Sequence, residues 1–309
     1  MEFKNLRSLS AQEQKEFLDS FDMVLLDCDG VIWYTCGAIP NAPLAVRKLR
    51  ELGKQVRFVS NNTIYSLENF YKRLEKLDFE PEPGCFAVPT MAMIEYLRKT
   101  NFQKQLYVMG PPSLKSELEI AGFRVAPAGP SYVEETASAL LAELNDNPDV
   151  GAVISDIDIN VCYMKLMLST IYLKRKDVLL LMGAGEKIMS LNDKTRILGP
   201  YYFQKLLEEM TGVEPLKFAK PSPLLADFIK DKFTIKDPKR VLFVGDMLNQ
   251  DMGFANAGGF QKLLVLTGDV QKETLQNWDR PEVLKPDYYL DSFPSIIDVI
   301  DNCKDFTTK

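Results

Sequence analysis

Two aspartates stand two positions apart directly after an apolar run. Asp27 and Asp29 follow residues 23–26, and Gly30 comes next. Acids at the carboxyl end of a buried strand point into the crevice where open α/β sheets bind ligands, and a glycine lets the backbone turn sharply there. Two carboxylates this close repel each other, so a cation or a division of roles must relieve them. An ordinary Asp-Gly turn is the alternative interpretation.

Small polar residues follow a second apolar run. Ser60, Asn61 and Asn62 come directly after residues 55–59. Short polar side chains and backbone N–H groups at the end of a strand form a site for an oxyanion. A polar loop or a helix cap is the alternative, and it is the stronger interpretation when these residues are taken alone.

A lysine stands before a pair of residues that stiffen the chain. Lys220 precedes Pro221, which would fix the loop, and Ser222, which would cap the helix that follows. The Lys220 ammonium would then project from a rigid site as a positive charge suited to a phosphate. The alternative is a solvated surface lysine, as most lysines are.

A third strand-end acid completes the set. Asp246 follows the apolar residues 241–244, and Asp251 lies five residues later. A turn with a helix cap would explain this pair alone. Together, however, Asp27, Asp29 and Asp246 offer the oxygen ligands of an octahedral Mg²⁺ that keeps several waters. The set therefore predicts Mg²⁺ as the cofactor and a phosphate group bound beside it.

These side chains need buried parallel strands to bring them together. Further apolar runs, each next to loop-forming residues, lie at 106–109, 150–154, 178–182 and 262–266. Helical spacing of apolar residues predicts helices at 43–52, 67–77, 113–121 and 222–233. Alternation of strands and helices predicts an α/β fold with a parallel sheet.

The absence of histidine from all 309 residues limits the chemistry further. It excludes Ser-His-Asp and Cys-His catalysis and histidine metal sites. The net charge of −6 argues against a general nucleic-acid partner. The five cysteines form no CxxC pair, the first residues are polar, and no apolar run approaches the ~20 residues of a membrane span. We therefore expect a cytoplasmic protein with no membrane partner.

Taken in order, the motifs resemble those of the haloacid dehalogenase (HAD) superfamily of phosphotransferases, namely DxDGV, Ser-Asn, Lys-Pro and GDxxxxD. The resemblance covers nearly the whole chain. The length of the interval between Ser60 and Lys220 is similar to that of the HAD branch with a large α/β cap. Within that branch, the chain resembles the phosphoglycolate, pyridoxal-phosphate and 4-nitrophenyl phosphatases. The similarity is carried by DCDGVIW, VSNN, KPSP and VGDMLNQD, by residues 108–110 with 117–118, and by residues 163–166.

The resemblance implies an architecture and an activity. It implies a doubly wound, Rossmann-like core at 1–100 plus 214–309, with an inserted α/β cap at 101–213 and a homodimer through the cap. It also implies Mg²⁺-dependent hydrolysis of a small phosphorylated metabolite. Asp27 would attack phosphorus to form an aspartyl-phosphate. Asp29 would protonate the leaving oxygen, activate the water, and bind Mg²⁺ through its backbone carbonyl, and Asp246 would complete the protein ligands.

The remaining site residues take supporting roles by the same resemblance. Ser60 and Asn61 would bind the transferring phosphoryl group, with Asn62 adjacent. Lys220 would neutralise the charge of the nucleophile and the phosphate, and Asp251 would hold Lys220 or a metal-bound water. Gly30 would support the turn after the nucleophile.

Three cap positions depart from the pattern of the relatives. Asn160 stands where relatives often carry histidine. Residues 183–186 read Gly-Ala-Gly-Glu where relatives show Thr-Asn-x-Asp, and residues 199–201 read Gly-Pro-Tyr in place of a Gly-Thr-Gly-like turn. Because the cap closes over the substrate, these changes leave the reaction in place and leave open which phosphometabolite is the substrate.

The sequence leaves two other interpretations open. A catalytically weak or inactive member that binds a phospho-ligand or a protein is the alternative from another class. A phosphomutase or phosphotransferase would use the same aspartyl-phosphate. A dinucleotide oxidoreductase is disfavoured, because no GxGxxG follows the first strand.

Overall fold

A computed structural model describes residues 3–34, 37–190, 195–268 and 270–303. Contacts divide the chain into two compact units. The first unit comprises Met1–Ser60, Leu67–Ala87 and Lys220–Lys309, and the second comprises Asn61–Ser66 and Val88–Ala219. Within the described residues, every helix is too short or too polar to span a bilayer.

The first unit is built on a parallel sheet with a small hairpin beside it. The strands are β1 (Met23–Leu26), the hairpin strands β2 (Trp33–Tyr34) and β3 (Gly37–Ala38), β4 (Gln55–Val59), β5 (Phe86–Ala87), β13 (Val241–Gly245), β14 (Gln261–Val265) and β15 (Tyr288–Leu290). The sheet has six parallel strands in the order β15-β14-β13-β1-β4-β5.

Strand β1 occupies the position in this sheet where the strand order reverses. It pairs with β4 on one side and with β13 on the other, and all four of its residues are buried. Burial on both faces explains its uninterrupted apolar sequence. Ligands of open α/β sheets bind at the carboxyl ends of strands at such a switch point. The residue after β1 is Asp27, whose backbone N–H donates to the Val244 carbonyl at 2.9 Å.

Seven α-helices accompany the sheet of the first unit among the described residues. They are α1 (Ala11–Asp19), α2 (Ala42–Glu51), α3 (Leu67–Lys76), α9 (Pro223–Lys232), α10 (Gly253–Gly258), α11 (Lys272–Gln276) and α12 (Ile296–Asn302). Ser10 and Glu13 form a capping box that starts α1, and the Ser222 hydroxyl accepts from Leu224 N–H to start α9. A π-helical turn, Leu248–Met252, leads into α10.

The second unit has its own parallel sheet and a hairpin. Its strands are β6 (Gln105–Met109), β7 (Arg124–Val125), β8 (Val150–Ser155), β9 (Leu179–Met182), the antiparallel pair β10 (Ile188–Ser190) and β11 (Arg196–Leu198), and β12 (Leu216–Lys217). The sheet order is β12-β9-β8-β6-β7, with all neighbours parallel. Its helices are α4 (Pro89–Lys99), α5 (Pro112–Ile120), α6 (Ala137–Glu143), α7 (Tyr163–Leu173) and α8 (Tyr201–Thr211). Tyr107, Tyr172 and Leu207 belong to its buried core.

The predicted fold class is confirmed, because both sheets are parallel and helices alternate with their strands. Residues 88–100 and 214–219 make their contacts within the second unit, although the sequence predicted both segments to belong to the core. Residues 61–66 also pack with the second unit. The domain boundaries at 101 and 213 stay a prediction, and these contacts favour moving both outward.

Candidate active site

A buried lysine bridges two carboxylates at the end of β1. Lys220 Nζ lies 2.7 Å from Asp27 Oδ1 and 2.7 Å from Asp251 Oδ1. The Lys220 side chain is 1% exposed and that of Asp251 is 0% exposed, so solvent scarcely screens either contact. Burial alone would lower the pKa of Lys220, but the Asp251 and Asp27 carboxylates raise it above its usual value. The ammonium therefore stays charged.

Asp251 supports the loop as well as the lysine. Its Oδ2 accepts from Asp246 N–H at 3.0 Å and from Met247 N–H at 2.9 Å, while its Oδ1 accepts from Lys220. A Cβ on Gly245 would lie 2.2 Å from the Asp251 Cβ, so the strand end needs glycine there. These bonds fix the loop on which Asp246 stands.

Two glycines leave room for Asp246. A Cβ at Gly30 would lie 2.2 Å from Asp246 Oδ2, and a Cβ at Gly268 would lie at the same distance. Gly30 also has φ +84°, a conformation that favours glycine. The Thr267 hydroxyl donates to the Gly30 carbonyl and joins the two glycine loops. The Asp246 carboxylate is thus seated between backbone segments.

Three buried carboxylates share the single ammonium of Lys220 in this cluster. Asp27, Asp246 and Asp251 are buried, and one ligand atom from each lies within 4.8 Å of the others. Burial raises the pKa of Asp27 to about 7, Lys220 opposes the rise, and the carboxylates of Asp251 and Asp29 add to it. Burial, followed by the charges of Asp251 and Asp27, raises the pKa of Asp246 well above its usual range.

These residues fit a hard divalent cation. Asp246 Oδ1 is buried and has no hydrogen-bond partner among the described residues. An unmatched buried carboxylate oxygen beside two further carboxylates is a donor set that Mg²⁺ prefers. Since both Asp251 oxygens already accept hydrogen bonds, Asp27 and Asp246 are the better side-chain ligands.

Asp29 differs from these acids in its surroundings. Asp29 is exposed, and its Oδ1 accepts a hydrogen bond from Trp33 Nε1 at 2.9 Å. The Trp33 ring is buried, and the Arg73 guanidinium lies 4.6 Å from its centroid. Asp29 is therefore held in orientation while its carboxyl group stays in contact with solvent.

The second motif is divided between the two units. Ser60 belongs to the first unit, where its N–H donates to the Ala87 carbonyl at 3.1 Å. Asn61 and Asn62 belong to the second unit. Asn61 Nδ2 donates to Glu186 Oε1 at 3.3 Å, and Asn62 Oδ1 accepts from Ile64 N–H at 3.0 Å.

Comparison with known proteins decides the family. A family model described as haloacid dehalogenase-like hydrolase matches residues 24–124, and a second, described as HAD-hydrolase-like, matches residues 217–296. A 4-nitrophenylphosphatase of Schizosaccharomyces pombe is 33% identical over 93% of this chain and 97% of its own length. This chain belongs to the haloacid dehalogenase-like hydrolases.

Other relatives of this HAD-like hydrolase are phosphatases as well. A glycerol-3-phosphate phosphatase of Gallus gallus is 32% identical over 97% of this chain and 98% of its own. Phosphoglycolate phosphatase 2 of Arabidopsis thaliana is 30% identical over 95% and 98%. Among solved structures, a 4-nitrophenylphosphatase from Thermotoga maritima has a TM-score of 0.76 at 21% identity and shares the fold over 92% of this chain and 98% of its own. The protein is a HAD phosphatase that acts on small phosphomonoesters.

The cap segments that depart from the relatives are ordered by backbone contacts. Asn160 contributes backbone groups, since its N–H donates to Asp158 Oδ1 and its carbonyl accepts from Lys165 Nζ, both at 2.9 Å. In the 183–186 segment, a Cβ on Gly183 would lie 1.8 Å from Asp156 Oδ2. At 199–201, a Cβ on Gly199 would lie 2.0 Å from the Glu186 carbonyl oxygen. Both glycines therefore stand where a neighbouring group occupies the space of a side chain.

Sequence reasoning missed some residues of this HAD phosphatase. Thr267 and Gly268 lie in the loop that begins one residue after β14 ends, so the strand-end position was an available signal. The burial of Asp156 after β8 had the same signal, because Asp156 ends a buried apolar run. Trp33, which holds Asp29, had no signal beyond its place four residues after that acid.

Proposed function

We propose that this HAD phosphatase hydrolyses phosphate monoesters of small metabolites through an aspartyl-phosphate formed on Asp27. The observation that carries the proposal is the Lys220 ammonium at 2.7 Å from Asp27 Oδ1, inside a buried cluster of carboxylates that follow the neighbouring strands β1 and β13. A carboxylate held by a permanent cation at the switch point is oriented and charged for attack on phosphorus.

The residues divide the reaction into two displacements. Lys220 holds Oδ1 of Asp27, and the other oxygen attacks phosphorus while the bond to the leaving oxygen breaks. Asp29 gives its proton to that oxygen. Asp29 then accepts a proton from water as the water oxygen attacks phosphorus, which releases inorganic phosphate and restores the Asp27 carboxylate. The contact of Asp29 with solvent supports this exchange of protons.

Mg²⁺ is the proposed cofactor, and Asp27, Asp246 and the backbone carbonyl of Asp29 would hold it. When bound, the ion neutralises charge on the nucleophile and on the phosphate oxygens, so that two anions approach each other. The buried Asp246 oxygen without a partner among the described residues supports this assignment. Asp251 and Lys220 then balance each other beside the ion.

Ser60, Asn61 and Asn62 are proposed to bind the phosphate oxygens. Hydroxyl, amide and backbone N–H groups are suitable donors for the three equatorial oxygens of a transferring phosphoryl group. Their position directly after β4, which lies beside β1 in the sheet, supports the role for Ser60. The roles of the asparagines rest on the motif that they share with relatives.

The finer substrate assignment is a phosphoglycolate-type metabolite, with 4-nitrophenyl phosphate as a substrate in vitro. Curated relatives named for 4-nitrophenyl phosphate, glycerol-3-phosphate and phosphoglycolate support this range. A homodimer through the cap is proposed by analogy with relatives. A cytoplasmic location is proposed because Cys28, Cys85, Cys162 and Cys303 form no disulfide among the described residues.

The test compares hydrolysis of three esters by the purified protein: 4-nitrophenyl phosphate, glycerol-3-phosphate and phosphoglycolate. We expect release of phosphate with Mg²⁺ and loss of release with EDTA. Asp27→Asn should lower kcat at least about a thousandfold, as removal of a nucleophile does. Asp227→Asn changes an exposed aspartate on α9 and is the matched control, which should keep wild-type activity.

The intermediate has a separate test. Borohydride reduces an acyl phosphate to an alcohol, so treatment during turnover should convert Asp27 into homoserine, which peptide mass spectrometry detects. Reduction at another aspartate, or hydrolysis that survives in Asp27→Asn, would reject Asp27 as the nucleophile. If the folded, Mg²⁺-loaded protein hydrolysed no ester of a broad panel, the result would instead favour a member of the family that only binds phospho-ligands or proteins.

A further inference from the structure

The carboxyl edge of the second sheet holds a buried acid that the proposed reaction does not use. Asp156 directly follows β8, is 3% exposed, and donates its N–H to the Met109 carbonyl at 2.8 Å. Gly183, after the neighbouring strand β9, lacks the side chain that would clash with Asp156 Oδ2. The backbone on both sides is thus arranged around this carboxyl group.

One partner of Asp156 comes from the segment that contains the phosphate-binding asparagines. Thr63 Oγ1 donates to Asp156 Oδ1 at 2.8 Å, and Thr63 is 2% exposed. A hydrogen bond between a buried hydroxyl and a buried carboxyl is costly to lose, because the remaining partner stays desolvated. Thr63 lies two residues after Asn61 in the chain, and both belong to the second unit.

Two further bonds hold the same segment in the second unit. The Ser113 hydroxyl lies 2.7 Å from the Thr63 carbonyl and 2.9 Å from the Ile64 carbonyl, and donates to both. Asn61 Nδ2 donates to Glu186 Oε1, which lies in the loop after β9. The Thr63 bond is the one made to the most buried partner, so we regard it as the principal anchor.

The electrostatics of Asp156 agree with an anchored carboxyl group. Burial raises its pKa to about 7, the hydrogen bonds from Ile157 N–H and Thr63 act in the opposite direction, and the charge of Glu186 adds to the rise. The hydrogen bonds therefore offset part of the cost of burying this acid. Loss of the Thr63 hydroxyl would leave the carboxyl group with less compensation.

We propose that Asp156 is a positioning residue, which holds Thr63 and thereby sets the backbone of Asn61 and Asn62 for phosphate binding. The inference rests on the proposed function, because it assumes that these asparagines contact the phosphoryl group. Positioning groups act through geometry, and a displacement of about 1 Å in a reacting group is able to cost about a hundredfold in rate.

The experiment compares Thr63→Val with Thr63→Ser. Valine keeps the shape of threonine and removes the donor, whereas serine keeps the donor. Thr170→Val is the matched control, because Thr170 is a buried threonine of α7 whose hydroxyl bonds only the Met167 carbonyl of its own helix among the described contacts. We measure kcat and KM for 4-nitrophenyl phosphate, the inhibition constant of inorganic phosphate, and hydrogen exchange of peptides that cover residues 61–66.

We expect Thr63→Val to lower kcat/KM by about ten- to a hundredfold, to weaken inhibition by inorganic phosphate, and to speed exchange at 61–66. Thr63→Ser, which keeps the donor, should have all three values close to those of the wild type, and so should Thr170→Val. Asp156→Ala should lose at least as much as Thr63→Val, because it also removes the acceptor of the Ile157 N–H. Adding Thr63→Val to Asp156→Ala should cost nothing further, because the bond between the two residues is already broken.

Equal effects of Thr63→Val and Thr170→Val, or failure of serine to restore activity, would overturn the proposal. So would fast exchange at 61–66 with unchanged kcat/KM, since the anchor would then be structural only. Failure of the proposed function has a different signature, because the wild type would then show no hydrolysis that depends on Asp27.

Discussion

Replacement of Lys220 by methionine removes the only cation seen in contact with the Asp27 and Asp251 carboxylates in the described part of the chain. Methionine keeps most of the length of the lysine stem, so the change removes charge more than volume. Two buried carboxylates lose their partner at once. Breaking a buried ion pair by removing one member costs about 3–5 kcal/mol, because an uncompensated charge stays desolvated.

The free energy of unfolding is measured by urea titration in EDTA, so that divalent cations do not mask the loss. Trp33 and Trp278 both lie in the first unit, and their fluorescence therefore reports on the unit that contains Lys220. Lys48→Met is the matched control. The Lys48 ion pair with Asp301 is partly exposed, and its loss should cost no more than about 1 kcal/mol.

The pH dependence of this loss has a definite sign. Burial raises the pKa of Asp27 from 3.8 to about 7 in the folded state. Between these two pH values the folded protein keeps a proton that the unfolded chain has already lost. Wild-type stability from this group is therefore full below 3.8 and declines as the pH rises to about 7. Because Lys220 lowers the pKa of Asp27, the pKa of Asp27 should be higher in Lys220→Met. The decline in the free energy of unfolding should therefore continue to higher pH in that variant.

We therefore expect Lys220→Met to cost more at pH 8 than at pH 5, where Asp27 is protonated in both proteins. A loss no greater than that of Lys48→Met would refute the reasoning about the buried pair. A loss that is constant with pH, or greater at pH 5, would refute the assignment of the charge that Lys220 compensates.

Three further predictions concern the metal, a thiol and the second core. Mg²⁺ at about a hundred times its Kd should stabilise the wild type by about 2.7 kcal/mol, which is measured as a rise in Tm. The Asp246→Asn variant should show no such rise. An equal rise in Tm for the variant would exclude Asp246 as a ligand. Burial raises the pKa of the Cys28 thiol, so a thiol reagent should label half-buried Cys162 before Cys28 in the folded protein, and the reverse order in peptide mapping would contradict the burial of Cys28. Leu207→Ala should cost about 2–5 kcal/mol in urea unfolding followed by circular dichroism, whereas Leu141→Ala, at 71% exposure, should cost less than about 0.5 kcal/mol, and similar losses would show that Leu207 is not a core residue.

Much of the first unit was predictable from the sequence because the apolar residues of its central strands are buried. The apolar runs at 23–26 and 55–59 coincide with β1 and β4, and the acid or polar residues after them lie at the carboxyl ends of those strands. Contiguous apolar residues bounded by turn formers are a local signal. The convergence of the acids followed from that signal, since parallel strands end at one edge of a sheet.

Contacts between distant segments had no such local signal. Thr63 and Asp156 are separated by 93 positions, and neither residue type indicates the other. The predicted helices also omitted α4, although Pro89 is a favourable helix start and the buried Met93 and Leu97 lie four positions apart among good helix formers. The need for glycine at residue 268 became visible only when Asp246 was placed against it.

The strand order of the first sheet has a consequence for synthesis of the chain. The second unit is complete in sequence once residue 219 has been made, whereas β1 still lacks its neighbour β13. At about 5–20 residues per second, the ribosome needs about 1–5 seconds to make residues 220–245, which complete β13. During that time the apolar β1 has an unpaired edge, which invites association with other chains. The second unit should therefore be the first to resist protease on stalled nascent chains, and the first unit should be the one that needs chaperones.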